Sequence, residues 1–295
     1  MKSDIHRRNF VIAMGGAGMA ISGRVCAQNK RNLARAGVAN FVNGDASIAD
    51  SNMSQPLTSG TVVMQGQVIE TGANGEVHIV FDDGGLLALR PSSRVQIEHV
   101  QIIGAFSDSL TMTLLRGAMR SITGWVGKFD RNNYQLRAAT ATVGIRGTDH
   151  EVAIIAAGEE RGGEIPGVHN WVHEGGTTLE NAGGSMDVEP GHAAWAPHNG
   201  QAPQAHQGIP AYLLRRKSAH EGRINAHAQH ITEHIERRMQ RRGMIKPGET
   251  LQDAQRRHRA LQANPEHQRP DAAAEQEKPK PAGHNNPKAN RHPHR

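Results

Sequence analysis

Val77-His78-Ile79-Val80-Phe81-Asp82-Asp83-Gly84-Gly85-Leu86-Leu87-Ala88-Leu89 is the stretch that decides how this chain is read. A β-forming run leads into four turn residues, and a second apolar run leads back. An Asp-Gly step accepts positive φ at little steric cost, so the pattern predicts a hairpin. Just beyond it, Val95-Gln96-Ile97-Glu98-His99-Val100 alternates apolar and polar, the mark of a strand with one buried and one wet face. Further strands are predicted over 110–115, 134–139, 150–157, 168–173, 177–180 and 186–188, and Asn181-Ala182-Gly183-Gly184 is a second turn. Strands spaced every ~8–12 residues with turn chemistry between them indicate a mainly β fold. The reading is a single antiparallel β-rich domain over residues 58–197, of jelly-roll, β-roll or sandwich type. No repeated βα pattern is present, which opposes a doubly wound fold.

Upstream, residues 28–57 form a lead-in. A short helix is expected over 34–40, and a first strand and turn over 41–46. The whole chain has 295 residues and a formal charge of +6, from 34 Lys+Arg against 28 Asp+Glu. That charge is segregated: residues 1–27 carry +3, 28–211 carry −6, and 212–295 carry +9. The ten aromatic residues end at Tyr212. One core-forming domain followed by a basic tail is therefore expected, rather than one core built from the whole chain. No apolar run approaches the ~20 residues a membrane helix needs, so the chain is read as not an integral membrane protein.

Residues 1–27 read as an export signal. A charged start, Lys2 to Arg8, precedes a weakly apolar stretch, and Val25 and Ala27 supply the small-residue pattern for cleavage after Ala27. Arg7, Arg8 and Phe10 lie in His6-Arg7-Arg8-Asn9-Phe10-Val11, which resembles the twin-arginine pattern of signals that export folded proteins. General secretion and a retained anchor are the alternatives. Cys26 is the only cysteine, so cleavage would leave a mature chain without thiol chemistry, disulfides or cysteine metal sites. The expected location is the periplasm or beyond.

Several ordered segments are similar to one known family. Gly66-Gln67-Val68-Ile69-Glu70-Thr71-Gly72, the hairpin at 77–89, and Pro91-Ser92-Ser93 resemble the opening of the FecR domain. Leu114-Leu115-Arg116-Gly117 resembles its central Leu-x-x-Gly segment. Val143-Gly144-Ile145-Arg146-Gly147-Thr148 resembles its [VI]-Arg-Gly-Thr hallmark, and Val188-Glu189-Pro190-Gly191 its closing segment. The resemblance spans about residues 60–197. It implies an extracytoplasmic module without known catalysis, one that in its best-known setting links an outer-membrane transporter to a sigma or anti-sigma partner. Here a cleavable signal stands where those regulators carry a cytoplasmic anti-sigma segment, and no later membrane helix follows. The resemblance therefore carries the fold and the binding-module character, and sigma control stays an alternative.

Gly144, Ile145, Arg146, Gly147 and Thr148 are the candidate hallmark site. Arg146 has two readings. One is an anion or partner contact at the rim of the domain. The other, preferred, is a structural arginine paired with a carboxylate such as Asp149 or Glu151. In a strand, Asp149 and Glu151 share one face and His150 points to the other, which opposes an acid/base cluster made from the three. Neither a Gly-x-Ser-x-Gly elbow nor a His-Glu-x-x-His motif is present, so no catalytic residue is assigned.

After a linker over 198–218, a helical basic segment is expected over 219–263 and a disordered tail over 264–295. His220, His227, His230 and His234 fall along one side of a helix over 219–241, beside a stripe of Ile224, Ile231 and Ile235. Gly243 stops that helix, and Thr250-Leu251-Gln252-Asp253 caps a second one running through about Ala263. Histidines at this spacing are able to chelate zinc, copper or nickel. The plainer reading, an amphipathic helix with histidines bordering its stripe and no cofactor, is preferred. The partner expected from all of this is a periplasmic or outer-membrane protein, or an anionic envelope surface. Nucleic acid is not expected, because compartment and the lack of aromatics in the basic region both oppose it. A histidine-rich periplasmic metal-binding protein is the remaining alternative.

Overall fold

The computed structural model describes residues 33–159, 164–215 and 217–263. The chain opens with β1 (Arg35–Asn43), β2 (Ala46–Ala49), β3 (Ser54–Pro56), β4 (Val62–Met64) and β5 (Val68–Thr71). The hairpin read from the sequence follows as β6 (Glu76–Phe81) and β7 (Leu86–Leu89), then β8 (Arg94–Gln101) and the long β9 (Ser109–Ile122). Helix α1 (Trp125–Phe129) and a 3-10 turn (Arg131–Asn133) lead to β10 (Tyr134–Ala138), β11 (Ala141–Ile145) and β12 (Asp149–Ile155). The strands end with β13 (Gly167–Glu174), β14 (Thr177–Asn181), β15 (Gly184–Val188), β16 (Ala193–Pro197) and β17 (Gln204–His206). Helices α2 (Ala211–Arg215), α3 (Glu221–Arg241) and α4 (Leu251–Ala263) close the described chain.

These strands form two sheets that share β9. One runs β4-β1-β6-β7-β9-β12-β13-β16-β17. The other runs β3-β2-β5-β8-β9-β10-β11-β14-β15. Their inner faces supply one apolar cluster. Val77, Ile79, Leu87 and Leu89 enter it from the first sheet, and Ile69, Val95, Ile97, Leu110, Met112 and Leu136 from the second. Each such side chain stabilises the fold by ~1.5–3 kcal/mol when fully buried. The pairing is antiparallel except between β9 and β10. That pair is parallel because β9 first runs on into the other sheet, and α1 and the 3-10 turn then bring the chain back beside its start. A parallel pair requires a long crossover of this kind.

The chain passes repeatedly from one sheet to the other, and a residue at positive φ marks most of the passages: Gly44, Gly60, Gly66, Ser92, Gly117, Gly147, Gly175 and Gly191. The passage within β9 shows why. Residues 109–116 pair in the second sheet and residues 117–122 in the first. Gly117 makes the bend at φ +82, and a Cβ there would lie 2.2 Å from Ser93 Oγ and 2.6 Å from Ser93 Cα. Ser93 Oγ in turn accepts the Ala118 amide at 2.8 Å, and the Ser93 amide donates to Thr71 Oγ1 at 2.9 Å.

The two outer faces differ. On the second sheet the outer face is wet and carries ion pairs such as Arg116–Glu70 at 2.6 Å and Arg137–Glu98 at 2.9 Å. On the first sheet it is covered by helices. Ile224, Ile231, Ile235 and Met239 of α3 join the main cluster, while Tyr212 and Leu213 of α2 pack on Ala118, Ala153 and Ile155. The stripe of α3 is thus the one expected, and Gly243 ends the helix at φ +71. Thr250 and Asp253 form the reciprocal cap at the start of α4. The C-terminal helices are consequently part of the fold, sealing a sheet, and residues 264–295 lie outside the described residues.

One local expectation is corrected. Residues 34–40 do not form a short helix: they lie in β1, paired with β4 and β6. A one- to two-turn helix is marginal on its own. Gly37 also decides for the strand, because it lets β1 approach β6 so closely that a Cβ would sit 2.3 Å from the Val80 carbonyl oxygen. Tertiary pairing here overrides the helix preference of the alanines.

Candidate functional site

The hallmark residues form one of the passages between sheets. Ile145 ends β11 in the second sheet, Asp149 begins β12 in the first, and Arg146-Gly147-Thr148 join them, with Gly147 at φ +69. The Arg146 amide donates to the Gly176 carbonyl at 2.9 Å, and Thr148 Oγ1 donates to the same carbonyl at 2.5 Å. The Thr148 amide donates to Thr123 Oγ1 at 2.8 Å, and its carbonyl accepts the Thr123 amide at 3.0 Å. Gly175-Gly176 is the passage from β13 to β14, so two passages are tied to each other through buried hydrogen bonds. Gly144 and Ile145 belong to β11, with Ile145 buried in the core.

The Arg146 guanidinium leaves this turn and meets Glu189 at 2.6 Å and Asp187 at 3.4 Å. The arginine is therefore paired, but with carboxylates of the β15 region. The expected partners, Asp149 and Glu151, do share one face of β12. That face, however, lies against α3, away from Arg146.

There they belong to a buried charge network. Arg120 of β9 holds Asp149 with two hydrogen bonds, at 2.8 and 2.6 Å. Arg90 donates to Glu151 at 2.8 Å, and His173 meets the other Glu151 oxygen at 2.9 Å. Glu221, at the first turn of α3, reaches both arginines, bonding Arg120 and lying 3.3 Å from Arg90. Asn225, one turn later, accepts from Arg120 at 2.9 Å. Arg90 is only 1% exposed. Burial alone would raise the Glu151 pKa, but His173 and Arg90 hold it below the usual carboxylate value. Burial likewise opposes the charge on Arg120, and Asp149 and Glu221 more than restore it. A second cluster centres on Glu76, which bonds His78 at 2.6 Å, Ser218 and, at 3.2 Å, His220. Burial pushes Glu76 up, yet these three partners outweigh it and hold the pKa at about 2. A cavity of about 270 Å³ opens beside the network, walled by Trp171, His173, Lys217 and Glu221.

His150 points to the opposite face, as the strand period requires, and is fully buried among core residues. Burial lowers its pKa to about 4, so it is neutral. Asp83 shows the reverse case: its buried carboxyl is raised to about 6, although the Gly85 amide bonds it at 2.9 Å.

These shifts predict the acid behaviour of the fold. A depressed native pKa gives stability that is present above the unfolded value and lost as pH falls through the native one. For His150 that window runs from 6.5 down to about 4, and for Glu76 from 4.5 down to about 2. Asp83 is opposite in sign: its contribution is complete below 3.8 and is lost as pH rises through about 6. His150 and Asp83 thus offset each other between pH 6.5 and 4. His169, His227 and His258 are lowered by burial in the same direction as His150, so the melting temperature should decline gently as pH falls from 6.5, with Asp83 offsetting part of the loss, and fall more steeply below pH 4. In Asp83→Asn the offset disappears, and roughly 2–3 kcal/mol should be lost over that same interval. A D83N profile parallel to the parent's would refute the assignment.

The four candidate histidines, His220 at the N-cap of α3 and the other three within it, do not converge on one point, although the His227 and His234 rings lie 6.4 Å apart. His220 turns to Glu76 and lies 4.6 Å from the Phe41 ring, and His227 Nε2 bonds the Gly84 carbonyl at 3.0 Å. His230 and His234 are exposed. Among the described residues, no group of three or more His, Cys, Asp or Glu side chains is placed to hold a metal. Arg7, Arg8, Phe10 and Ala27 lie outside the described residues. No described helix is long and apolar enough to cross a membrane. Sequence reading passed over Arg90, Arg120 and Glu221. The available signal was an arginine at a core-period position after Leu86-Leu87-Ala88-Leu89, and another in the second half of β9.

Residues 67–163 match the family described as FecR protein. No curated protein matches the chain. Two crystal structures of "a putative anti-sigma factor" from Parabacteroides distasonis are similar, at 12% and 13% identity with TM-scores of 0.37 and 0.38. Each alignment covers 50% of this chain and 62% of the other, so the chain spans less than two thirds of those proteins. Likeness at that level carries no argument about partners. The family match is of another kind, because the hairpin of β6 and β7, the bend in β9 and the hallmark passage all fall inside the residues 67–163 that match the FecR domain.

Proposed function

We propose that this chain is an exported, non-enzymatic module that binds a protein partner in the cell envelope and serves envelope signalling. The observation that carries the reading is the FecR match across residues 67–163, which hold β5 to β12. Two features support it. The leader ending at Ala27 carries Arg7-Arg8 in a twin-arginine-like setting. Thr148 at the hallmark and Arg120, Asp149 and Glu151 under α3 are held by hydrogen bonds within the fold, an arrangement suited to supporting a binding surface. A fold-level likeness does not by itself name a partner, so the test must find one.

Fractionation tests the compartment. The processed chain, beginning at Gln28, is expected in the periplasm, and Arg7→Lys/Arg8→Lys should leave the unprocessed chain in the cytosol. An unprocessed parent chain in the cytosol would overturn the proposal. Crosslinking in intact cells tests the binding. Removing everything after Ala211 is unsuitable as a control, because it uncovers Arg90, Arg120 and Glu76. Surface substitutions on the full chain are the appropriate comparison, and one recurrent envelope protein is the expected result.

A further inference from the structure

Beside the hallmark passage lies a second, larger cleft of about 570 Å³. Three separate parts of the chain wall it: α1 with the 3-10 turn, the Arg146-Gly147 turn, and α4. Its shape is fixed by the docking of α4. The Gln255 amide donates to the Lys128 carbonyl at 2.9 Å, and the His258 ring stacks on Phe106 at 4.4 Å.

The cleft is basic. Lys128, Arg131, Arg146 and Arg259 line it, against the single carboxylate of Asp130. Arg146 is engaged by Glu189 and Asp187. Asp130 is turned onto the Asn132 amide at 2.9 Å. Among the described residues, Lys128, Arg131 and Arg259 form no salt bridge. Lys128 is the unusual member. Its stem packs beside Gly147, where a Cβ would meet Lys128 Cγ at 3.5 Å. Burial lowers its pKa even with the charges of Glu174 and Asp149 nearby. A partly desolvated ammonium without a salt bridge is costly, and an anion in the cleft relieves that cost.

We infer that this cleft binds a phosphomonoester dianion, with Lys128 at its base and Arg131 and Arg259 on its flanks. The lining selects the class. Lys128, Arg131 and Arg259 outnumber the one carboxylate that lines the cleft, Asp130, while Glu174 acts on Lys128 from outside the lining. A phosphomonoester carries about −1.5 to −2 at pH 7, whereas a carboxylate supplies only one. Planar guanidiniums also suit the oxygens of phosphate in pairs. A soluble sugar phosphate and a phosphorylated lipid headgroup share this chemistry.

Calorimetry on the full chain at low ionic strength, with glucose 1-phosphate as titrant, tests the inference. Saturable binding is expected, weakened about tenfold or more by Lys128→Met and by Arg259→Ala. Arg131→Ala, on an exposed turn, provides a third variant whose folding is not at issue, and it should weaken binding as well. Vesicles of phosphatidylcholine with added phosphatidic acid distinguish the sources. Lys128-dependent retention on them points to a lipid headgroup, and binding of the sugar phosphate alone points to a soluble ester. The inference is overturned if acetate at equal ionic strength gives the same signal, if K128M binds as the parent does, or if a hexaglutamate peptide binds more tightly than the phosphate.

Discussion

Arg120→Met should lower the unfolding free energy by about 3–5 kcal/mol, because removing one member of a buried ion pair leaves the others uncompensated. Asp149 loses both of its hydrogen bonds to Arg120, at 2.8 and 2.6 Å, and Glu221 loses one of its two arginines. For a body of this size, each kcal/mol is worth ~2–4 °C, so the melting temperature should drop by about 10 °C. The double variant Arg120→Met/Asp149→Leu should regain part of the loss, since the orphaned carboxylate is gone. A melting temperature for R120M within a degree or two of the parent's would mean that water reaches these groups and that α3 does not seal the sheet.

Gly117→Ala should be at least as severe. The added Cβ falls within 2.7 Å of Ser93 Oγ, Ser93 Cα and the Ser92 carbonyl oxygen, and the φ of +82 disfavours any side chain. Relief requires moving Ser93, which also holds the Ala118 amide and Thr71. The expected loss exceeds about 4 kcal/mol, the range reserved for named backbone and packing faults. Gly66→Ala is the contrasting case. It has nearly the same φ, at +85, but no atom within 4 Å of the added Cβ, so it should show the conformational cost without the clash. If the two variants melt together, the contact with Ser93 is not what fixes the bend.

The hairpin of β6 and β7 was legible because its whole signal is local: two apolar runs and an Asp-Gly turn. The stripe Ile224, Ile231 and Ile235 was legible for the same reason, since helical spacing needs no knowledge of what the stripe covers. β9 was read over 110–115 only, although it continues to Ile122, because Arg116-Gly117 looks like an ending when it is a bend. The lead-in was misread where pairing with β6 decides, 40 residues further on. The candidate site divides the same way. The Arg-Gly-Thr passage was found by its pattern, but the partners of Arg146 were assigned to its neighbours in sequence, and they come from Asp187 and Glu189 instead. The pairing of Arg90 with Glu151 joins residues 61 positions apart, and no local pattern announces such a contact.

The repeated passage of the backbone between the two sheets bears on how this polypeptide comes apart. Neither layer is a contiguous stretch, so each can be completed only while the other is being laid down. Clipping an exposed loop should therefore yield no surviving half-molecule, and denaturant should produce one sharp transition. With so many of its pairings between distant residues, the chain should also reach its native form slowly.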